Sequence, residues 1–306
     1  MQNTLVKIAR QKHQYNESIG ILMIKLILIL GIITSLFGQI RDEIFMPLTQ
    51  QKAYNKQKAD LGKELFRDKR LSKDKTISCE TCHNLEITAT GTSNQKLLNP
   101  PTLLNSSLNF IFSSKGDIKN LSEQIKKSLT SDKELNSKEE FIVSQINKNP
   151  KYEAKFKNLY KDGVTFENSV DALTEFIKAL TTPLSRFDKF LAGDKTALSD
   201  DEQKGLDIFI RSGCVSCHNG INLGGNIISI MKNEMINTNE ILKVPTLRNI
   251  SLTKPYFHDG RVNKLRDAIE MIRSRIHSRK HNEEECELIY KFLLTLEGNT
   301  PEILYE

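Results

Sequence analysis

An all-α protein of two domains is what the sequence predicts, and three observations lead there. Helical periodicity recurs in short, capped stretches, while strand-like alternation is scarce. Long glycine-containing loops separate those stretches. The pattern Cys-x-x-Cys-His occurs twice, at Cys79-Glu80-Thr81-Cys82-His83 and at Cys214-Val215-Ser216-Cys217-His218, with Cys79 and Cys214 135 positions apart. A chain of 306 residues is long enough to bury two cores, so one motif per domain suits that separation.

Each copy has the form by which a c-type haem is attached. The two sulfurs form thioethers with the vinyl groups, and the short tether then holds the following imidazole beneath the iron. Two covalently bound haem c groups are therefore expected, on Cys79 and Cys82 with His83 as axial ligand, and on Cys214 and Cys217 with His218. A zinc site assembled from both pairs would leave the two histidines without a purpose. A thioredoxin-like dithiol lacks the βαβ surroundings it requires. Structural disulfides are the remaining alternative, and Cys286, the fifth cysteine, reads as an ordinary half-buried thiol.

In chain order, residues 1–38 read as a signal peptide or an N-terminal membrane anchor. The apolar run from Ile19 to Phe37 is interrupted by Lys25, and its unbroken part, Leu26 to Phe37, has the 12-residue length of a signal core. Met23-Ile24-Lys25 before that core resembles a second start, and cleavage near Gly38 competes with an uncleaved anchor. Residues 39–55, with Pro47, read as a polar linker. Residues 56–182 form the expected first haem domain. Its helices are Lys56 to Phe66, with Leu61 and Leu65 on one side, then Leu121 to Leu129, Lys138 to Ile146 and Ser169 to Leu180. The stretch from Leu85 to Leu97 reads as a surface loop.

Residues 183–306 form the expected second haem domain. It opens with a short helical piece at Phe187 to Leu191. Ser199-Asp200-Asp201-Glu202 has the form of a capping box ahead of a helix over Gln203 to Ile210, which delivers the second motif. Gly224-Gly225 and Lys243 to Asn249 read as loop. An apolar face of Leu265, Ala268, Ile269, Ile272 and Ile276, with Met271 on its flank, predicts another helix, and Glu284 to Leu296 predicts the last.

Charge narrows the function classes. The formal net charge is +6, of which the first 38 residues carry +3 through Lys7, Arg10, Lys12 and Lys25 against Glu17. No stretch combines a dense basic patch with spaced aromatics, so nucleic acid is not an expected partner. No histidine or methionine occurs between Asn84 and Cys217, which leaves the first haem without an ordinary sixth ligand from nearby sequence.

The chain resembles the bacterial dihaem cytochrome c peroxidase family from Leu61 to Gly298. The resemblance is carried by Leu61-Gly62-Lys63-Glu64-Leu65-Phe66, Ile77-Ser78 leading into the first motif, Asn99-Pro100-Pro101-Thr102-Leu103-Leu104-Asn105 and Ser185-Arg186-Phe187-Asp188-Lys189-Phe190-Leu191-Ala192-Gly193-Asp194. It continues through Val244-Pro245-Thr246-Leu247-Arg248-Asn249 and Pro255-Tyr256-Phe257-His258-Asp259-Gly260. The resemblance implies two cytochrome-c-like domains in a periplasmic homodimer. It also implies reduction of hydrogen peroxide with electrons from a small donor protein, such as a monohaem cytochrome c or a cupredoxin.

The family register implies the division of labour. The C-terminal haem receives electrons, with Met271 as its second axial ligand; a soft thioether favours ferrous iron and a higher potential. The N-terminal haem reacts with peroxide, and Glu134 falls in register with the family's acid/base glutamate. By sequence alone Asp132, Glu139 and Glu140 are equal candidates for that role. Asn99, Thr253 and Pro255 stand at the positions of the family's calcium site, an all-oxygen donor set suited to that ion. Arg248 and His258 are expected near the second haem.

Two departures from the family pattern stand out. The usual distal histidine of the first haem is missing, which implies an open site unless a lysine such as Lys96 closes it. The chain has no tryptophan, and Ser113-Ser114-Lys115-Gly116 replaces the family's Phe-Trp-Asp-Gly phrase. A tryptophan-oxidising maturation enzyme with a tyrosine-ligated second haem and a dihaem electron carrier are the competing readings.

Overall fold

The computed structural model describes residues 44–85, 99–233, 238–276 and 282–305, together with Met23 and Lys25. The predicted signal or anchor segment lies almost wholly outside the described residues, as does most of the loop containing Lys96. Met1–Phe45 and Met46–Glu306 are separate compact units. Among the described residues no helix is long and apolar enough to cross a membrane.

Ten α-helices are described in Met46–Glu306: α1 Lys56–Arg67, α2 Cys79–Cys82, α3 Leu121–Thr130, α4 Glu139–Asn147, α5 Pro150–Leu159, α6 Phe166–Ala179, α7 Arg186–Leu191, α8 Asp200–Arg211, α9 Leu265–Ile276 and α10 Glu283–Leu294. Local signals start most of them. Asn55, Asn120, Asn149, Thr165 and Asn282 accept from backbone N–H groups in the first turns of α1, α3, α5, α6 and α10. Ser185 and Ser199 form capping boxes with Asp188 and Glu202 at the heads of α7 and α8. The predicted helices are all present, within the end-to-end shifts expected of frayed termini. Helix α5 is an addition; its charged composition hides the periodicity, although Asn149 as cap and Pro150 in the first turn mark its start.

Two helix crossings repeat the same contact. On α1, a Cβ at Gly62 would lie 2.0 Å from the Ala172 carbonyl oxygen of α6, and one turn on, the Phe66 and Phe176 rings meet at 5.1 Å. On α8, a Cβ at Gly205 would lie 2.0 Å from the Leu288 carbonyl oxygen of α10, and one turn on, Phe209 and Phe292 meet at 5.4 Å. Glycine is needed in each case because the partner backbone occupies the place of a side chain. The first helix of each crossing, α1 or α8, precedes one Cys-x-x-Cys-His motif in the chain.

The first crossing sits in a core that includes Leu61, Leu65, Leu71, Leu129, Ile142, Ile146, Phe156 and Leu180. Ile303, near the end of the chain, is buried in that same core, and its carbonyl accepts from Lys63 at 2.5 Å. In the other direction, the segment read as a linker is packed. Leu48 is buried, its N–H donates to Asp188 at 2.7 Å, and its carbonyl accepts from Leu184 at 2.9 Å. The two ends of this unit are therefore exchanged between the halves.

The fold is predominantly helical, with one departure from the all-α expectation. Strands β1, Ile228–Asn233, and β2, Thr238–Lys243, pair antiparallel with Ile230 opposite Ile241. Ile228, Ile230 and Ile241 are all exposed, so the hairpin does not bury an apolar face of the kind that strand patterns report. Lys243, read as loop, ends β2, and its N–H donates to the Ser114 carbonyl at 2.8 Å. The turn that replaces the family's tryptophan phrase is thus tied to the strand leading into Val244-Pro245.

Candidate haem centres

The first motif is set by the chain that follows α1. Asp68 accepts from both the backbone and the guanidinium of Arg70, which fixes the turn into Leu71. Thr76 is held by Asp74, and the Ser78 N–H donates to Thr81 Oγ1 at 2.9 Å, opening the single turn of α2. His83 ends it, its N–H bonded to the Cys79 carbonyl at 2.9 Å. Burial, reinforced by the negative charge of Glu134, pushes the Cys79 thiol up to about 12 and raises Cys82 as well.

Glu134 therefore lies beside the first motif. It stands in the loop after α3, where the Glu134 N–H bonds to Ser131 and the Leu135 N–H to Ser128, while Leu135 is buried and its carbonyl accepts from Lys73 at 3.0 Å. A buried leucine and a backbone bond to the loop preceding the cysteines hold the exposed carboxylate in place. Of the four acids open to the sequence, Glu134 is the one whose charge reaches both thiols; Asp132, Glu139 and Glu140 do not act on them.

The second motif follows α8 through Gly213, whose φ of +75° suits a residue without a side chain. Cys214–Ser216 form a 3₁₀ turn, and the His218 N–H bonds to the Cys214 carbonyl at 2.9 Å, the same relation as in the first motif. The imidazole Nδ1 lies 3.2 Å from the Leu223 carbonyl, so Nδ1 carries the proton and Nε2 keeps its lone pair. Burial lowers the His218 pKa to about 4 against the pull of the Leu223 and Pro245 carbonyls, so the ring is neutral. Gly224, with φ +120°, permits this packing; a Cβ there would lie 2.2 Å from the Pro245 oxygen and 3.2 Å from His218 Nδ1.

These features fit covalent haem better than the alternatives. All four motif cysteines are free thiols, so the disulfide reading does not hold. Among the described residues no three His, Cys, Asp or Glu side chains converge as metal ligands, so the two pairs do not assemble a zinc centre. A neutral, oriented imidazole beside half-buried thiols suits thioether attachment and axial ligation.

The remaining candidates are placed as follows. Met271 is half-buried on α9, and its carbonyl accepts from Ser274. Asn99 donates from Nδ2 to the carbonyls of Pro255, at 2.7 Å, and Phe257, at 3.0 Å. Thr253 turns its hydroxyl to Ile250 at 3.4 Å. His258 lies 3.4 Å from Glu240. Arg248 is fully buried, donates to Ile221 and forms a two-point pair with Asp188.

Comparison with known proteins agrees with this geometry. Residues 56–196 match the family described as di-haem cytochrome c peroxidase. Cytochrome c551 peroxidase of Nitrosomonas europaea is 38% identical over 287 residues, covering 85% of this chain and 86% of that protein. The chain belongs to the bacterial dihaem cytochrome c peroxidase family. A second relative in this family, cytochrome c551 peroxidase of Pseudomonas aeruginosa, is 32% identical, with 86% of each chain covered. The crystal structure of a MauG-like protein associated with microbial copper homeostasis shares the fold, with a TM-score of 0.66 at 22% identity over 83% of this chain and 93% of that one. As a dihaem cytochrome c peroxidase family member, the chain is a haem c oxidoreductase of the peroxidase class.

Proposed function

We propose that this chain reduces hydrogen peroxide to water at the first motif, with electrons entering at the second. The observation that carries this reading is the loop of Glu134, tied by the Leu135 carbonyl to Lys73 ahead of the first motif, from which the Glu134 charge reaches Cys79 and Cys82. Cys79, Cys82 and His83 would hold one haem, and Cys214, Cys217, His218 and Met271 the other, in domains spanning residues 56–182 and 183–306. When bound, the haems supply the electron-transfer chemistry and the site at which the O–O bond is cleaved.

The protein's own part is proton handling and orientation. Glu134 accepts a proton from one peroxide oxygen and returns it to the departing oxygen, so that two electrons and two protons convert one peroxide into two waters. Its exposed position leaves it in exchange with solvent. His218, with Nδ1 bonded to Leu223, offers only Nε2 to iron. Donor electrons come from a small electron-transfer protein in the periplasm, and the enzyme works as a homodimer. Asn99 and the Pro255 carbonyl already meet, and rotating the Asn99 amide would turn an oxygen toward the carbonyls for calcium, with Thr253 contributing from the same turn.

Replacing Glu134 with glutamine tests the central claim. Rapid mixing with peroxide should show the peroxide step slowed about 10²-fold or more at unchanged haem content. A change below about threefold moves the proton role to another acid, Asp132 first. Wild-type protein that carries both haems yet does not react with peroxide would be an electron carrier instead.

A further inference from the structure

Leu223 presents its carbonyl to His218 from a backbone conformation that leucine does not favour. Its φ is +46°, in the left-handed region, and the residue is completely buried. Such a conformation persists only where the surroundings over-determine it. Here three successive carbonyls are gripped. Ile221 accepts from Arg248 Nε at 2.6 Å, and Asn222 from the Thr246 hydroxyl at 2.6 Å. Leu223 accepts from the Leu247 N–H at 3.1 Å as well as from His218 Nδ1 at 3.2 Å.

Asn222 carries this grip into the first half of the chain. It is 1% exposed, and its Nδ2 donates to Asn109 Oδ1 at 2.8 Å and to the Asn105 carbonyl at 3.3 Å. Asn105 is itself clasped by Thr182, donating to its hydroxyl at 2.7 Å and accepting from its N–H at 2.8 Å. Gly225 lets the two segments close, since a Cβ there would lie 2.2 Å from Asn109 Oδ1. Thr246 Oγ1 also lies 3.0 Å from Asn222 Oδ1, so the same side chain holds the segment bearing the Pro245 carbonyl, the second acceptor near the imidazole.

We propose that Asn222 is a positioning residue that, together with Asn109, locks the Leu223 carbonyl onto His218 and so lowers the reduction potential of the second haem. This rests on the reading that Cys214, Cys217 and His218 hold that haem. An acceptor held at Nδ1–H draws the proton away from the ring and makes Nε2 a stronger donor to iron, which favours the ferric state. Loosening the turn lengthens that bond and weakens the effect. The potential at which the second haem takes an electron is therefore set in part by two asparagines meeting across the chain, neither of which belongs to a haem motif.

The experiment uses the mature protein with both haems attached, comparing wild type with Asn222→Ala, Asn109→Ala, Asn109→Asp and Asn120→Ala. Three readouts are taken: mass for haem content, a one-electron titration of the second haem, and magnetic resonance of the exchange of the His218 Nδ1 proton with deuterated water. Asn222→Ala should shift the reduction equilibrium toward the reduced form about threefold or more and speed that exchange about tenfold. Asn109→Ala should shift the equilibrium the same way, whereas Asn109→Asp, which keeps an acceptor for Asn222, should not raise the potential. Asn120→Ala removes the cap of α3 in the same half and should lower stability while leaving the second haem unchanged. The proposal is overturned if Asn222→Ala shifts the equilibrium less than about threefold or lowers the potential, or if the potential moves with the ring proton unaffected. It is also overturned if Asn109→Asp or Asn120→Ala raises the potential as far as Asn109→Ala does. Should Asn222→Ala fail to fold, the two Asn109 variants decide. A wild type carrying one haem by mass defeats the ligand reading, and the proposal with it.

Discussion

The Arg248 guanidinium and the Asp188 carboxylate face each other through two hydrogen bonds of 2.9 and 2.8 Å, both side chains completely buried. Asp188 also accepts from the Leu48 N–H and from the Ser185 N–H and hydroxyl, while Arg248 donates to Ile221. One buried pair therefore joins the entry segment, the head of α7 and the loop that follows the hairpin. Removing either partner strands a buried charge. Arg248→Met or Asp188→Asn should cost about 3–5 kcal/mol in denaturant unfolding. A cost below about 1 kcal/mol would show that the joint is dispensable.

Gly62 and Gly205 are the close points of the two repeated helix crossings. Alanine at either should force the helices apart and cost about 1–3 kcal/mol or more, because a backbone carbonyl stands 2.0 Å from the new atom and cannot rotate away. The damage should be local. Gly62→Ala should broaden the spectrum of the haem proposed at His83, and Gly205→Ala that of the haem proposed at His218. Visible absorption with unfolding curves separates the two.

Glu202 closes the α8 capping box and holds Arg186 through contacts of 2.7 and 2.6 Å. Burial alone would raise its pKa, but the Arg186 and Ser199 hydrogen bonds outweigh that and hold it below the usual carboxylate range. A carboxyl depressed on folding contributes stability that is complete above its unfolded pKa and is lost as pH falls through its lower folded value. Glu202→Gln should therefore destabilise the protein at neutral pH and flatten its stability loss between roughly pH 5 and pH 3. Melting curves across that range check it, and an unchanged acid slope would count against the pairing.

The absence of histidine and methionine from Asn84 to Cys217 bears on the resting state. A lysine such as Lys96 would bind iron only after losing a proton, and a solvated amine holds it to about pH 10.4. The ferric protein as isolated should then show a high-spin electron paramagnetic resonance signal and react with peroxide before any reduction. Purely low-spin signals at neutral pH, with no reaction until one haem is reduced, would show that the site is closed by another ligand.

Much of this architecture was written locally. Two Cys-x-x-Cys-His motifs, Ser199 with Glu202 at the head of α8, and the apolar spacing of α1, α6 and α10 act over three or four residues, so they can be read from the chain without its partners. Helix α5 escaped because its cap was legible but its face was not. The hairpin escaped because its isoleucines point outward, where alternation carries no burial signal.

Other features exist only once distant segments meet. Gly62 reads as any helix glycine until Ala172 lies against it, and nothing along the chain marks Asp188 as the partner of Arg248. Ile303 and Leu48 gave no sign that each packs in the half of the chain to which it does not belong. Four acids were interchangeable along the sequence, and only the anchoring of Leu135 to Lys73 brought Glu134, rather than Asp132, Glu139 or Glu140, beside Cys79 and Cys82. The sequence by itself determined which residues are proposed to attach the haems, because that motif is defined by spacing along one short loop. The tertiary structure decided which charges stand near them, because a charge acts through space over distances that no stretch of sequence encodes.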